Sequence, residues 1–267
     1  MITASIVLYN HSEQELLPTL HSLNASWYIE KIILVDNSGN CDWVESLNYS
    51  KIIYLKSKGN FGFGCGHNLA INKYAQESEF FLICNPDILF DQFEFSSLAA
   101  FASQRPEGLF LPKIIYPNGE NQFCARLLPT PLNLFARRFS KKWAVKLNKQ
   151  YLLQDFDIEK PVFVPYLSGC FMLFRSQALL GLNGFDERYF MYMEDIDLSR
   201  RCAEKFGALY CPQFKIIHMH EQASYKNKEL LKAHLRSAVQ YFNKWGWIYD
   251  SKRKILNDKC LQSINMQ

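Results

Sequence analysis

Over the first hundred positions, hydrophobic residues fall into short unbroken runs separated by mixed stretches. Ile2–Leu8, Lys31–Val35, Lys51–Leu55 and Phe80–Cys84 read as strands, and because they do not alternate they predict a sheet covered on both faces. An amphipathic pattern predicts a helix near Glu13–Leu23, and a second helix starts near Gly66 and runs to about Gln76. The alternation predicts a βαβ-type, mixed but mostly parallel α/β sheet flanked by helices. Such sheets bind ligands at the carboxyl ends of their strands. Here those ends read Tyr9-Asn10, Asp36-Asn37-Ser38, Lys58-Gly59-Asn60 and Asn85-Pro86-Asp87, all polar and turn-prone.

The second half has another texture. Residues 126–150 carry seven Lys/Arg and no acid. An apolar stretch, Val162–Phe174, leads into a helix-turn region around Arg175–Phe185 and then a carboxylate-rich segment, Met191–Leu198. Short strands are expected near Ala208–Cys211 and Lys215–Ile217, and a helix from Lys228 to Trp245. The last dozen residues are polar and expected to fray. This pattern divides the chain into one domain over 1–225 and a helical extension, 226–267, packed on it.

Composition narrows the function classes. With 48% hydrophobic and 21% charged residues, the 267-residue chain has globular rather than disordered composition. A net charge of +4 is too mild to imply nucleic acid. No apolar run approaches the ~20 residues of a membrane helix. Met1 leads straight into a strand pattern without a charged leader, so secretion is not expected. Eight cysteines without a Cys-x-x-Cys pair suit buried thiols in a reducing cytosol better than a disulfide frame or zinc site.

Three clusters carry candidate chemistry. Asn60-Phe61-Gly62-Phe63-Gly64-Cys65-Gly66-His67-Asn68 lies between a strand and a helix, where glycines let a phosphate or sugar approach backbone N–H groups. A dinucleotide loop would also use such glycines, with Asp87 as the ribose acid, but His67 stands at the last glycine position of that fingerprint. The loop also follows the third strand rather than the first. Glycines serving only a tight turn are the plainer alternative. Asp87, projected from the end of a buried strand, could hold a divalent cation against a diphosphate, or merely cap a turn. Glu194-Asp195-Ile196-Asp197 places three carboxylates at a helix start, which the helix dipole favours. On that helix Glu194 and Asp197 share a face while Asp195 points elsewhere, and Arg200 and Arg201 one turn on are available to Asp197. His218 and His220 alternate, so both meet one metal only if the strand has ended.

Together, Val35-Asp36-Asn37-Ser38, Asn60–Gly64 with Asn68, Leu82–Asp87, Ser168–Leu173, Asn183–Glu187, Tyr189–Leu198 and Ile217-His218 resemble the family-2 glycosyltransferases of the GT-A fold. The order and spacing are most like the rhamnosyltransferase branch that builds bacterial O-antigens and capsules, over about residues 2–245. The resemblance implies a single in-line displacement with inversion of a nucleotide sugar, dTDP- or UDP-linked, with dTDP-rhamnose the best match. Asp36 would accept from the donor's pyrimidine, with Tyr9 and Asn10 lining the same pocket. The loop from Asn60 to Asn68, including Gly62 and Gly64, would wrap nucleotide and sugar. Asp87 and His218 would hold Mg²⁺ or Mn²⁺, Asn85 replacing the first acid of the family's Asp-x-Asp and lowering the expected metal affinity. Asp195, second of the Glu194-Asp195 pair, would be the base acting on the acceptor hydroxyl.

The implied acceptor is a glycan or a polyprenyl-diphosphate-linked sugar on the cytoplasmic face of the inner membrane. Residues 132–149 would lie against that face, Arg137, Arg138, Lys141 and Lys142 toward anionic headgroups; an amphipathic helix packed on the protein is the alternative. Two other readings stand beside the transferase. One is a nicotinamide-dependent oxidoreductase, and the other a non-catalytic sugar- or lipid-binding module of the same fold.

Overall fold

The computed structural model describes residues 1–134, 149–219 and 228–266. Most of the basic segment 132–149 and His220 lie outside the described residues. The expected strands form with small boundary shifts: β1 (Ile2–Leu8), β2 (Ile29–Asp36), β3 (Ile52–Lys56) and β4 (Phe80–Cys84). β5 (Ile88–Leu89), β6 (Leu109–Ile115), β7 (Ala125–Arg126), β8 (Val162–Phe163), β9 (Tyr166–Leu167), β10 (Phe171–Arg175) and β11 (Ala208–His218) follow. The helices are α1 (Glu13–Ala25), α2 (Phe63–Tyr74), α3 (Gln92–Ser103), α4 (Ser176–Gly181), α5 (Glu194–Lys205), α6 (Lys228–Trp245) and α7 (Ser251–Asn265).

The main sheet runs β3-β2-β1-β4-β10-β6-β11-β5, with β8 on β11. β3, β2, β1 and β4 pair in parallel, as do β6 and β11, while β10 enters antiparallel between β4 and β6. The expected mixed sheet is therefore present, with its parallel pairings gathered at β1 to β4 and at β6 with β11, and as many antiparallel pairings around β10 and β11. Every residue of β4 is buried, as its continuous apolar pattern requires. The two short strands expected at 208–217 form one strand, β11, whose register shifts between Cys211 and Lys215.

α1 starts where the sequence supplies a capping box: Ser12 and Glu15 satisfy each other's backbone N–H groups. The chain's end differs from the expectation of a frayed tail. α7 is helical to Asn265 and buries Leu256, Cys260 and Ile264. A low density of apolar positions hid this helix, yet one at every fourth residue suffices to make a buried stripe. Arg200 differs too. Its guanidinium meets Asp250 with two 2.7 Å hydrogen bonds and lies 3.9 Å from the Trp245 ring centroid, joining α5 to the end of α6 and the start of α7. Arg201 alone takes the expected partner, Asp197, at 2.7 Å. All eight cysteines are free thiols, seven of them buried.

Topology brings one edge of the sheet together. The parallel strands β1, β2 and β4 end there, β10 begins there opposite Cys84, and β11 ends there with His218 opposite Ile88. The chain leaving β4 thus turns through Asp87 beside the end of β11.

Candidate active site

At that edge the Asp36 carboxylate is buried and accepts from five donors. One oxygen takes the Ser38 N–H (2.8 Å), the Ser38 hydroxyl (2.6 Å) and the Gly39 N–H (3.0 Å), and the other takes the Cys41 N–H (3.0 Å) and the Tyr54 hydroxyl (2.8 Å). Burial alone would raise its pKa, but these bonds overcome it and bring the group down to about 2. With about four lone-pair sites occupied, a ligand N–H reaches Asp36 only by replacing one donor, and the Ser38 and Tyr54 hydroxyls are the two free to rotate. Beside it, Asn10 takes a left-handed backbone (φ 56°) and accepts from the Asn40 side chain at 2.7 Å, while the Tyr9 ring is exposed.

The glycine cluster is explained by packing within the chain. A Cβ on Gly62 (φ 97°) would fall 1.8 Å from the Phe190 carbonyl oxygen; on Gly64, 2.8 Å from Phe185; on Gly66, 2.8 Å from Val7. This close fit seats α2 against β1 and the loop before α5, and leaves no glycine that only a cofactor's approach would require. Asn68 is likewise turned inward, correcting its expected place in the donor pocket. Its amide donates to the carbonyl of Phe185 (2.9 Å) and to Glu187 (3.1 Å) and accepts from the Phe185 N–H (2.9 Å). The exposed Asn60 accepts from the Gly62 N–H at 3.1 Å, shaping the loop's entry.

Asp87 and His218, 131 positions apart in sequence, meet with Nε2 3.1 Å from Oδ1. Gln122 orients the imidazole. Its Nε2 donates to the carbonyls of His218 (2.8 Å) and Ile115 (3.4 Å), so its Oε1 is left to accept from His218 Nδ1–H at 2.8 Å. That bond sets the tautomer and directs the Nε2 lone pair toward Asp87 and the Asn85 amide, 3.3 Å away. An imidazole nitrogen and a carboxylate oxygen this close can hold a cation between them. The donor set fits a divalent cation, and the imidazole favours Mn²⁺ over Mg²⁺. Among the described residues no group of three or more His, Cys, Asp or Glu side chains surrounds such an ion, so further ligands would be phosphate oxygens and water.

Across the cleft, Asp195 and Glu194 have opposite surroundings. Asp195 is half-buried; one oxygen accepts from the Tyr166 hydroxyl (3.1 Å) and the Gly169 N–H (3.0 Å), the other from Ile196 N–H (2.8 Å). A Cβ on Gly169 would lie 3.0 Å from that of Asp195, so glycine permits this approach. Glu194 is 5% exposed and points into the protein, where burial first and the adjacent Asp195 second push its pKa well up. Glu194, paired with Asp195 as a catalytic candidate, is thus turned into the protein, where its charged form is disfavoured. Tyr192 (φ 66°) and Met193 (φ 69°) precede them in consecutive left-handed conformations, each costing ~1–3 kcal/mol. α6 braces that strained turn, the Ser237 hydroxyl donating to the Met191 carbonyl at 2.8 Å.

Sequence reading passed over Gln122, Tyr166 and Arg126, which act on candidate residues only through folding. A weak signal existed for Tyr166, a polar-tipped ring inside an apolar stretch. None existed for Gln122.

Residues 3–180 match the model of glycosyl transferase family 2. The chain belongs to that family. It is 25% identical to the rhamnosyltransferase WbbL of Escherichia coli K12, over 97% of each chain. It is 28% identical to an N-acetylglucosaminyl-diphospho-decaprenol L-rhamnosyltransferase of Mycobacterium tuberculosis, over 70% of this chain and 66% of that one. Among solved structures it is similar to GalNAc-T7 with UDP, GalNAc and Mn²⁺ (TM-score 0.64, 15% identity, 92% of this chain and 48% of that one). It is also similar to Staphylococcus aureus TarS 1-349 with UDP-GlcNAc (TM-score 0.60, 14% identity, 97% and 71%). These likenesses establish the GT-A fold. The chain is a glycosyltransferase, and the nicotinamide reading of its glycines falls away. No helix among the described residues is long and apolar enough to cross a membrane.

Proposed function

We propose that this glycosyltransferase moves L-rhamnose from dTDP-rhamnose, with inversion, onto a hydroxyl of a diphosphate-linked glycan used in bacterial surface polysaccharide. The carrying observation is the meeting of Asp87 and His218 at 3.1 Å on the sheet edge that also presents Asp195. The similarity to two rhamnosyltransferases supports the sugar, and the diphospho-decaprenol in the name of one supports the acceptor.

In this reading the donor lies over the ends of β1, β2 and β4. The loop that Asp36 organises frames the base, with Tyr9 as a stacking surface. Asp87 and His218 Nε2 would hold Mn²⁺ or Mg²⁺, which when bound neutralises charge on the departing diphosphate. Asp195 takes the proton from the attacking hydroxyl, while Tyr166 and Gly169 keep its carboxylate aimed. Burial of Glu194 disfavours a second negative charge next to Asp195. The enzyme works in the cytoplasm, where nucleotide sugars are made.

A donor panel tests this. Purified protein is given dTDP-rhamnose, UDP-glucose, UDP-galactofuranose and GDP-mannose with a synthetic diphosphate-linked GlcNAc acceptor, with Mn²⁺ or EDTA. Transfer from dTDP-rhamnose, lost in EDTA and in Asp87→Ala, is expected. Transfer only from another donor would overturn the rhamnosyl assignment, and full activity in EDTA would overturn the metal role. Binding of the nucleotides without turnover of any sugar would favour a non-catalytic module.

A further inference from the structure

Arg126 has no part in the mechanism above, yet it sits at the cleft. It lies on β7, in register with Tyr166 of β9, and its guanidinium carbon is 5.5 Å from the Tyr166 ring centroid. The same tyrosine's hydroxyl donates to Asp195 at 3.1 Å. One ring therefore carries a cation on its face and the carboxylate at its tip.

The arginine is held from behind. Its Nε donates to the Phe123 carbonyl at 2.7 Å, and Phe123 has a left-handed backbone (φ 49°), a strained state for a bulky residue. Among the described residues, neither terminal nitrogen of the guanidinium has a hydrogen-bond partner, and no carboxylate lies within ion-pair distance. A half-buried fork fixed by its stem and left with its terminal donors unspent suits a bidentate oxyanion. Balancing Asp195 would not require that arrangement, since Tyr166, Gly169 and Ile196 already satisfy the carboxylate.

The short segment from Gln122 to Arg126 links both sides of the cleft: Gln122 orients His218 at one end, and Arg126 stands over Tyr166 at the other. An acceptor sugar with one hydroxyl at Asp195 carries its anomeric substituent about one ring-width away, a span comparable to the one by which the Tyr166 ring separates Arg126 from Asp195.

We propose that Arg126 binds the phosphoryl group attached to the acceptor sugar, making the enzyme selective for glycosyl phosphates over neutral glycosides. This rests on the transferase reading above. The test measures KM and kcat for GlcNAc-diphosphate-lipid, GlcNAc-1-phosphate-alkyl and neutral alkyl GlcNAc acceptors, together with donor KM and donor hydrolysis without acceptor. Arg126→Gln is expected to raise KM for the phosphorylated acceptors about 10- to 100-fold more than for the neutral one, the scale of a lost charge-assisted contact. Arg126→Lys should restore part of the difference, which also guards against misfolding.

An equal loss on all three acceptors, or a shifted pH profile of kcat with KM unchanged, would make Arg126 a partner of Asp195 and overturn the proposal. So would a rise confined to donor KM, which would assign the fork to the leaving group. If the wild-type protein transfers to none of these acceptors, the transferase reading of the acceptor fails. If it transfers and the variant is indifferent to the phosphate, only the role of Arg126 does.

Discussion

Asp36 is gripped mainly by residues two to five positions further along its own loop, whereas Asp195 is gripped from outside its helix by residues 26 and 29 positions earlier. The contrast runs through the whole cleft. On the side of β1, β2 and β3 the ends carry short-range turn bonds such as those of Ser38, Gly39 and Asn60, with longer reaches from Tyr54 to Asp36 and from Asn40 to Asn10 added to them. On the side of α5 and β11 each candidate side chain depends on a distant one: His218 on Gln122, Asp195 on Tyr166, and α5 itself on Asp250. Locally closed loops re-form whenever the strand ends come together. A side chain aimed from far away holds its direction only while the packing between elements is intact.

The sharpest test of this contrast is Asp195→Asn. Transfer should fall by ~10²–10⁴ in kcat, the scale of general-base catalysis, with nucleotide binding by titration calorimetry nearly unchanged because the nucleotide side is closed separately. Transfer above half the wild-type rate would remove the base assignment.

Asp250→Ala should expose how far the other side depends on distant packing. It strands the buried Arg200 charge, at a cost of ~3–5 kcal/mol, read as a loss in urea-unfolding free energy. A loss below ~1 kcal/mol would mean that the pair behaves like a surface bridge.

The loop of Asp36 should show its grip as acid sensitivity. Its pKa is lowered to about 2 in the folded state, so its stabilisation is fully present above about pH 4 and is lost as pH falls toward 2. The shift corresponds to ~2 kcal/mol. Unfolding free energies from pH 6 to pH 2.5 should therefore drop more steeply for wild type than for Asp36→Asn, and parallel curves would refute the grip. His67, buried with its pKa down to about 3, adds a loss of stability that begins as pH falls below 6.5, so it is a common background in both proteins.

The smallest effect is expected at Gln122→Ala, which frees the imidazole of His218 without removing a ligand. Mn²⁺ affinity in the presence of dTDP should weaken about 10-fold, at the low end for such supporting partners. An unchanged affinity would show that the strand end alone aims His218.

The amino-acid sequence by itself determined the strands β1 to β4, because each is a short, mainly apolar run bounded by polar, turn-prone residues. It also determined which polar turns stand at the carboxyl ends of those strands, and the segregation of Asp195 from Glu194 and Asp197 around one helix, which is a matter of 3.6-residue spacing. Only the tertiary structure decided that Asn68 and Glu194 face inward while Asp195 faces the cleft. It also decided that the glycines serve Phe190, Phe185 and Val7, and that α7 docks through Arg253, Leu256 and Cys260. The pairing of Asp87 with His218, aimed by Gln122, and of Asp195 with Tyr166, beneath Arg126, belongs to this second group. The physical reason is range. A hydrogen bond acts over about 3 Å, so partners separated by 26 to 131 positions are chosen by the sheet's strand order and register and leave no periodic trace along the chain.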